Sequence, residues 1–281
     1  MQNRVHPNNF INCRGRLVSL EQPLIMGILN LTPDSFFDGG KHNETSSALS
    51  QAKKLLEQGA HILDIGAASS KPGSPLISAE EEINRLKGPL LEIRTALPDA
   101  ILSLDTYNSE TAKYFLEAGG QIINDISAGE IDPKIMGIAA KFGAPYIMMH
   151  MQGRPETMQD SPEYNNVGTD VIDYFRARIS LARTDGIKDI IIDPGFGFGK
   201  SVEHNFQMLK ELERFQILNL PILAGVSRKS MINKTLNINP QEALNGTTVL
   251  NTVALMNGAK ILRVHDVKEA FEVKMLIQKM G

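Results

Sequence analysis

Short apolar runs, each ending in Gly, Asn, Asp or His, punctuate the chain at residues 24–29, 61–65, 101–104, 121–123, 146–149, 190–192, 221–224 and 260–264. They are strand-length and lack polar alternation, as parallel strands buried on both faces do. Segments of helical spacing separate them. Residues 45–58 place Ala48, Ala52, Leu55 and Leu56 on one stripe and stop at Gly59, a natural helix end. Residues 78–97 open with Ser78-Ala-Glu-Glu81, a capping-box pattern, and end before Pro98. Further helices are predicted at 109–118, 135–142, 170–183, 201–215, 241–257 and 267–280.

Eight strands alternating with eight helices predict an α/β fold, the (β/α)8 or TIM barrel. Residues 11–20 alternate loosely around Arg14-Gly15-Arg16 and read as an N-terminal hairpin closing the bottom of that barrel. A doubly wound open sheet shares the alternation, but no Gly-x-Gly-x-x-Gly follows the first run, and the regular units favour closure. With no linker or low-complexity tract, residues 1–281 read as a single domain.

Composition narrows the function classes. Of 281 residues, 42% are apolar and 22% charged, an ordinary globular balance that argues against disorder. A net charge of −3 supplies no basic excess to neutralise phosphate backbones, so no nucleic-acid partner is expected. No apolar stretch reaches the ~20 residues of a membrane helix and no hydrophobic signal region opens the chain, so a cytoplasmic protein without a membrane partner is expected. The lone Cys13 cannot pair within the chain and reads as an inert packing residue.

In such a barrel the C-terminal strand ends build the site. Those positions hold Asn30, Asp64, Asp105, Asn124-Asp125, His150, Asp193, Ser227-Arg228-Lys229, and Arg263 with His265. A ring of buried carboxylates implies a polar ligand, bound cations, or both. Arg263 and His265, two apart on one strand face, suit a phosphate-type anion. Opposite them, Asp105, Asn124, Asp193 and Lys229 offer acceptors and donors to a flat heterocycle bearing amino and ring N–H groups. The Gly-rich segment Asp193-Pro-Gly-Phe-Gly-Phe-Gly-Lys200 brings backbone and flat apolar rings close to a ligand, although its spacing fits neither a P-loop nor a dinucleotide fingerprint. Plainer readings stand beside these. Asp64 orients its neighbours, Asp125 caps a helix, Tyr107 packs, and His150 braces the pocket.

The run Met26-Gly-Ile-Leu-Asn-Leu-Thr-Pro-Asp-Ser-Phe-Phe-Asp-Gly-Gly40, with Ser103-Leu-Asp-Thr-Tyr107, Ile123-Asn-Asp125, Met149-His150, Asp193 to Lys200, Ser227-Arg-Lys-Ser230 and Arg263-Val-His-Asp266, resembles the pterin-binding barrel family over nearly the whole chain. The resemblance implies a transferase of folate biosynthesis, a sulfonamide target. It condenses 7,8-dihydropterin-6-ylmethyl diphosphate with 4-aminobenzoate to give 7,8-dihydropteroate and diphosphate. On this resemblance Asp105, Asn124, Asp193 and Lys229 hold the pterin, while Asn30, Arg263, His265 and Lys71 take the diphosphate. Asn30 also binds the cofactor, Mg²⁺. Ser70, Pro72, Phe198 and Ser230 form the 4-aminobenzoate site, and Asp105, Lys229 and Asn30 are the catalytic set. A dissociative, SN1-like substitution and a homodimer are further implications.

One segment departs from the family pattern Gly-Glu-Ser-Thr-Arg-Pro-Gly: here Ala67-Ala-Ser-Ser-Lys-Pro-Gly73 has Ala68 for the acid and Lys71 for the arginine. Lysine keeps the charge but loses the planar fork. Two rivals share the pterin carboxylates. A methyltetrahydrofolate-dependent methyltransferase needs neither the Ser227–Ser230 motif nor the Arg263 and His265 pair. A silent pterin-binding paralogue would release no diphosphate with both substrates present. A Schiff-base aldolase using Lys229 is a weaker third.

Overall fold

The computed structural model of the chain describes residues 9–31, 41–68, 74, 76–153, 158 and 162–280. Strands β1 (Phe10–Cys13) and β2 (Arg16–Ser19) pair antiparallel about a turn in which Arg14 and Gly15 adopt positive φ. The alternating body follows: β3 (Leu24–Asn30), α1 (Lys41–Glu57), β4 (Ile62–Gly66), α2 (Ala79–Ala96), β5 (Ile101–Asp105), α3 (Ser109–Glu117), β6 (Ile122–Asp125), α4 (Lys134–Phe142), β7 (Tyr146–Met149) and α5 (Val167–Thr184). It continues with β8 (Ile190–Asp193), α6 (Val202–Lys210), β9 (Leu223–Ala224), α7 (Ser230–Leu236), α8 (Leu244–Met256), β10 (Ile261–Val264) and α9 (Val267–Met280).

The eight-stranded sheet runs β8-β7-β6-β5-β4-β3-β10-β9 with every pairing parallel. A bridge from Ile192 to Ile222 joins its two ends, so the sheet closes into the expected (β/α)8 barrel. Strand side chains alternate in direction. Leu63, Leu102, Ile123, Tyr146, Ile190 and Leu262 face the helices and build the outer core. Met26, Ile62, Ile101, Ile122, Ile147, Ile191, Leu223 and Ile261 face the lumen and fill its lower end.

The hairpin closes that lower end. Ile11, Cys13 and Leu20 pack on the inward isoleucines, and each such buried side chain contributes roughly 1.5–3 kcal/mol. Polar contacts fix the hairpin to the loops entering the barrel. Arg14 Nη1 donates to Gly120 O at 2.9 Å, Arg16 Nη1 to Asp99 O at 2.6 Å, and the Asn12 amide to Asp189 Oδ2 at 3.3 Å.

Three helical expectations are adjusted. The predicted helix at 201–215 is an α-helix only to Lys210; a 3-10 segment, Leu212–Leu218, follows. Leu212 and Phe215 are buried and Leu218 packs beside them, and three residues per turn keeps all three positions in line on one face. The predicted helix at 241–257 begins at Leu244, after a 3-10 turn at Pro240–Glu242. Helix α7 was not anticipated: its seven residues bury only Met231 and Ile232, too few for an apolar stripe. Among the described residues no helix is long and apolar enough to cross a membrane.

Candidate functional site

Two residues above the apolar floor, the same strands turn polar side chains into the lumen. Arg263 on β10 reaches across it, donating from Nε to Asp64 Oδ2 and from Nη2 to Asp105 Oδ2, both at 2.6 Å. Asn124 on β6 donates to the same Asp64 oxygen at 3.0 Å. Burial opposes the guanidinium's charge, but Asp64 and Asp105 hold it firmly protonated. Burial also pushes Asp105 up to about 7, against the pull of Arg263 and with the like charges of Asp64 and Glu82 adding to the rise. Asp193 is raised by burial too; its Oδ1 accepts from the Gly195 amide at 2.8 Å. Lys229 is lowered to about 8 by burial and by Arg263, and its Nζ lies 4.0 Å from the centre of the Phe198 ring.

These groups share one pocket, lined by Asp105, Asn124, Asp193, Phe198, Lys229 and Arg263. Beneath it Asp64 Oδ1 and Ser103 Oγ, on register-paired residues of β4 and β5, are buried without a hydrogen-bond partner among the described residues. Such atoms are costly unless water or a ligand satisfies them. A larger surface groove runs beside α2, past Thr45, Glu81 and Arg85, but none of this constellation lines it.

The pterin set expected from the sequence, Asp105, Asn124, Asp193 and Lys229, is brought together, and Phe198 joins it. Arg263 and His265 are placed differently. Arg263 is sunk between two carboxylates, whereas His265 stands exposed at the rim with Nδ1 3.0 Å from Ser227 Oγ. Ser230 opens α7 on the exposed surface. Asn30 is exposed at the end of β3, with Oδ1 3.3 Å from where a Cβ on Gly66 would sit. Ser70, Lys71 and Pro72 lie outside the described residues. Adjacent residues of the Ser227-Arg-Lys-Ser230 motif point apart. Arg228, at φ 54°, forks onto Asp266 at 2.9 and 2.7 Å and onto the carbonyls of Pro240 and Gln241. Lys229 is thereby aimed inward.

The supporting residues divide in physical role. Asp125 caps a turn rather than a helix: it accepts from the Ser127 and Gly129 amides and from Tyr146 Oη at 2.6 Å. Tyr107 does more than pack, since its hydroxyl accepts from the Ile77 amide at 2.9 Å. Glu82, given no role in the sequence, is fully buried behind Asp105 and accepts from Thr106 Oγ1 and Asn108 Nδ2. His150 Nδ1 lies 2.8 Å from Lys200 Nζ; Glu82, inside α2, and Lys200, at the end of the Gly-rich segment, carried no separate signal in the sequence.

Among the described residues no group of three His, Cys, Asp or Glu is placed to hold a metal ion. Asp64 and Asp105 are occupied by Arg263, so among the described residues of this mouth the amide oxygen of Asn30 is the donor offered to a divalent cation. That donor set fits Mg²⁺, which retains waters and takes its remaining oxygens from substrate phosphates.

A carboxylate and amide wall facing two cations in a barrel mouth is a site for a flat, hydrogen-bonding heterocycle that carries an anionic group. The family of pterin binding enzymes matches residues 26–265, and the chain belongs to that family. The dihydropteroate synthase of Escherichia coli (strain K12) is 42% identical over 267 residues, 94% of each chain. The crystal structure of Yersinia pestis dihydropteroate synthase with a sulfonamide drug superposes with a TM-score of 0.91 at 40% identity, covering 96% of this chain and 98% of that one. Xanthomonas albilineans dihydropteroate synthase with 4-aminobenzoic acid gives 0.90 at 36% identity, over 97% and 98%. Within the pterin-binding family, the chain falls among the dihydropteroate synthases.

Proposed function

We propose that the barrel mouth condenses 7,8-dihydropterin-6-ylmethyl diphosphate with 4-aminobenzoate, releasing 7,8-dihydropteroate and diphosphate. The observation that carries this reading is the single pocket in which Asp105, Asn124 and Asp193 face Lys229 and Arg263. The carboxylates and amide accept from and donate to the pterin's amino and ring N–H groups. The bond from the exocyclic methylene to the diphosphate oxygen breaks first, and diphosphate leaves with the bonding electrons. Asp105 and Asp193 are fixed where they stabilise the cation left on the pterin methylene. The arylamine nitrogen then forms the new C–N bond, and its proton passes to water. An aromatic amine of low basicity needs no strong general base.

Arg263 and Lys229 attract the anionic end, with His265 and Lys71 at its outer side. Asn30 would hold Mg²⁺ through its amide oxygen, and the ion supplies charge neutralisation to the diphosphate when bound. Phe198, Ser70, Pro72 and Ser230 form the 4-aminobenzoate subsite, where a sulfonamide would compete. The Yersinia pestis structure with a sulfonamide drug and the Xanthomonas albilineans structure with 4-aminobenzoic acid support the presence of such a subsite.

A homodimer fits the outer surface: α8 exposes Val249 and Met256 seven residues apart, and neighbouring α9 exposes Leu276 and Met280. The lone cysteine suits a cytoplasmic setting.

The deciding experiment follows diphosphate and dihydropteroate formation by the purified protein with Mg²⁺ and dihydropterin diphosphate, with and without 4-aminobenzoate. Dihydropteroate formed only with the arylamine is the expected result. Tight pterin binding with no dihydropteroate would overturn the proposal and leave a ligand-binding barrel.

A further inference from the structure

Lys200 closes the Gly-rich segment after β8 and is 3% exposed. Among the described residues no carboxylate lies within ion-pair distance of it. Its Nζ instead meets Gly195 O and Phe198 O at 3.0 Å each, His150 O at 3.4 Å, and His150 Nδ1 at 2.8 Å. Burial lowers Lys200 to about 7 against the more distant charge of Asp193, so its ammonium persists only where carbonyl dipoles replace its water. The backbone here surrounds the ammonium much as it would surround a bound cation.

Those partners come from two segments of the pocket wall. His150 follows β7, whereas Gly195 and Phe198 follow β8. The segments touch backbone to backbone: a Cβ on Gly195 would sit 1.9 Å from His150 O, and one on Gly199 2.5 Å from Gln152 O. Gly195 and Gly199 both take positive φ. Other bonds hold the segment's edges, including Gly197 N to Asn205 Oδ1 at 2.7 Å and Tyr164 Oη to Gly199 O at 2.7 Å. Lys200 Nζ grips the carbonyl of Phe198 itself, the residue whose ring lies under Lys229 Nζ. His150 accepts through Nδ1, which leaves its proton on Nε2, and its ring stands edge-on to Tyr174 at 4.7 Å.

We propose that Lys200 is a positioning residue of the arylamine subsite: by drawing the carbonyls of His150, Gly195 and Phe198 onto one ammonium, it sets the Phe198 ring against Lys229 and so places the amine that attacks. The inference rests on the dihydropteroate-forming reading of the same pocket. It weights the arylamine over the pterin: Asp105 and Asn124 stand on β5 and β6 outside this stitch, whereas Asp193, whose Oδ1 accepts from the Gly195 amide, and Lys229 touch only its edge.

The test is Lys200→Met, which keeps the length and removes the ammonium, with KM measured separately for each substrate and melting followed by circular dichroism. The expected result is a rise of about tenfold or more in KM for 4-aminobenzoate, with KM for the dihydropterin diphosphate within about threefold of wild type. His150→Leu, which deletes the imidazole acceptor, is expected to move the same KM in the same direction. His150→Asn, which restores a short-range acceptor, is expected to recover part of that loss. A folded Lys200→Met protein with both KM values unmoved, or with both raised equally, overturns the inference. If Lys200→Met does not fold, the His150 pair decides: equal effects on both substrates, or no rescue by asparagine, overturn it. Wild-type turnover upholds the function whatever the variants do; a wild type that makes no dihydropteroate removes both readings.

Discussion

The floor and the mouth of the barrel are made by the same strands, one inward position apart, yet they follow opposite rules. Ile62 is followed inward by Asp64, Ile101 by Ser103 and Asp105, Ile122 by Asn124, Ile191 by Asp193, and Ile261 by Arg263. Two residues of strand span only about 6.5 Å. Below that step every lumen side chain is apolar and covered by Ile11, Cys13 and Leu20 of the hairpin. Above it, carboxylates, an amide and cations neutralise one another, and Asp64 Oδ1 and Ser103 Oγ are left without partners. The lower layer gains stability from burial, whereas the upper layer spends part of it to hold charge where a ligand will need it. The barrel tolerates the second because the first is complete.

The largest expected effect comes from moving mouth chemistry to the floor. Ile191→Asp buries a carboxylate with no cation or donor in reach, a cost of several kcal/mol against a total stability of about 5–15 kcal/mol. The variant is expected to lose cooperative thermal unfolding by circular dichroism, while Ile191→Val costs only about 0.5–1.5 kcal/mol. A normal melt for Ile191→Asp would mean that the floor is wet.

The reverse dissection comes next. Asp105→Asn leaves Arg263 paired with Asp64 and is expected to lower turnover about 10²–10³-fold, with a cooperative melt retained. Near-normal turnover would remove Asp105 from the pterin contacts.

The pH dependence probes the mouth more gently. Burial raises Asp105 to about 7, so its negative charge disappears as pH falls through that value. Burial lowers Lys229 to about 8, so its positive charge disappears as pH rises through that value. The profile of kcat/KM for the dihydropterin diphosphate is therefore expected to be a narrow bell with limbs near 7 and 8. Asp64 adds to the rise in Asp105, so Asp64→Asn should carry the acid limb to lower pH. An acid limb that stays in place would assign it to another group.

Much of this division was legible in the sequence. The floor isoleucines sit in the predicted runs, and Asp105, Asn124 and Asp193 were found as the first polar residues after them. Strand periodicity and polarity are local signals, and both survive folding. What was hidden depends on pairing across the chain. Arg263 was expected on the diphosphate beside His265; that its guanidinium also pairs with Asp64, 199 residues away, carried no local signal. Lys200 ended a glycine motif with no assigned role, since its partners are carbonyls, which any residue supplies. Helix α7 was missed because two buried residues make no stripe. The departures at Ala68 and Lys71 were plain in the sequence. Ala68 packs against the cluster of Tyr107, Met151 and Phe198, an apolar setting in which a carboxylate would lie poorly solvated.

The smallest expected effect tests whether floor and mouth are independent. Cys13 is the chain's one cysteine, lies in the floor, and has its thiol pushed up to about 12 by burial and by nearby Asp189. The native thiolate fraction is therefore negligible at neutral pH, and a thiol reagent can reach it only when the hairpin lifts away. Labelling kinetics of the folded protein thus report opening of the floor. Cys13→Ala should leave kcat unchanged and cost about 1 kcal/mol, because a small apolar side chain still fills most of the site. In the wild type, Asp105→Asn should leave the labelling rate within about twofold, since the ion pairs of the mouth make no contact with the hairpin. A tenfold acceleration would show that the polar layer holds the floor shut. The two ends of the lumen would then form one cooperative unit rather than a stable base beneath an independent site.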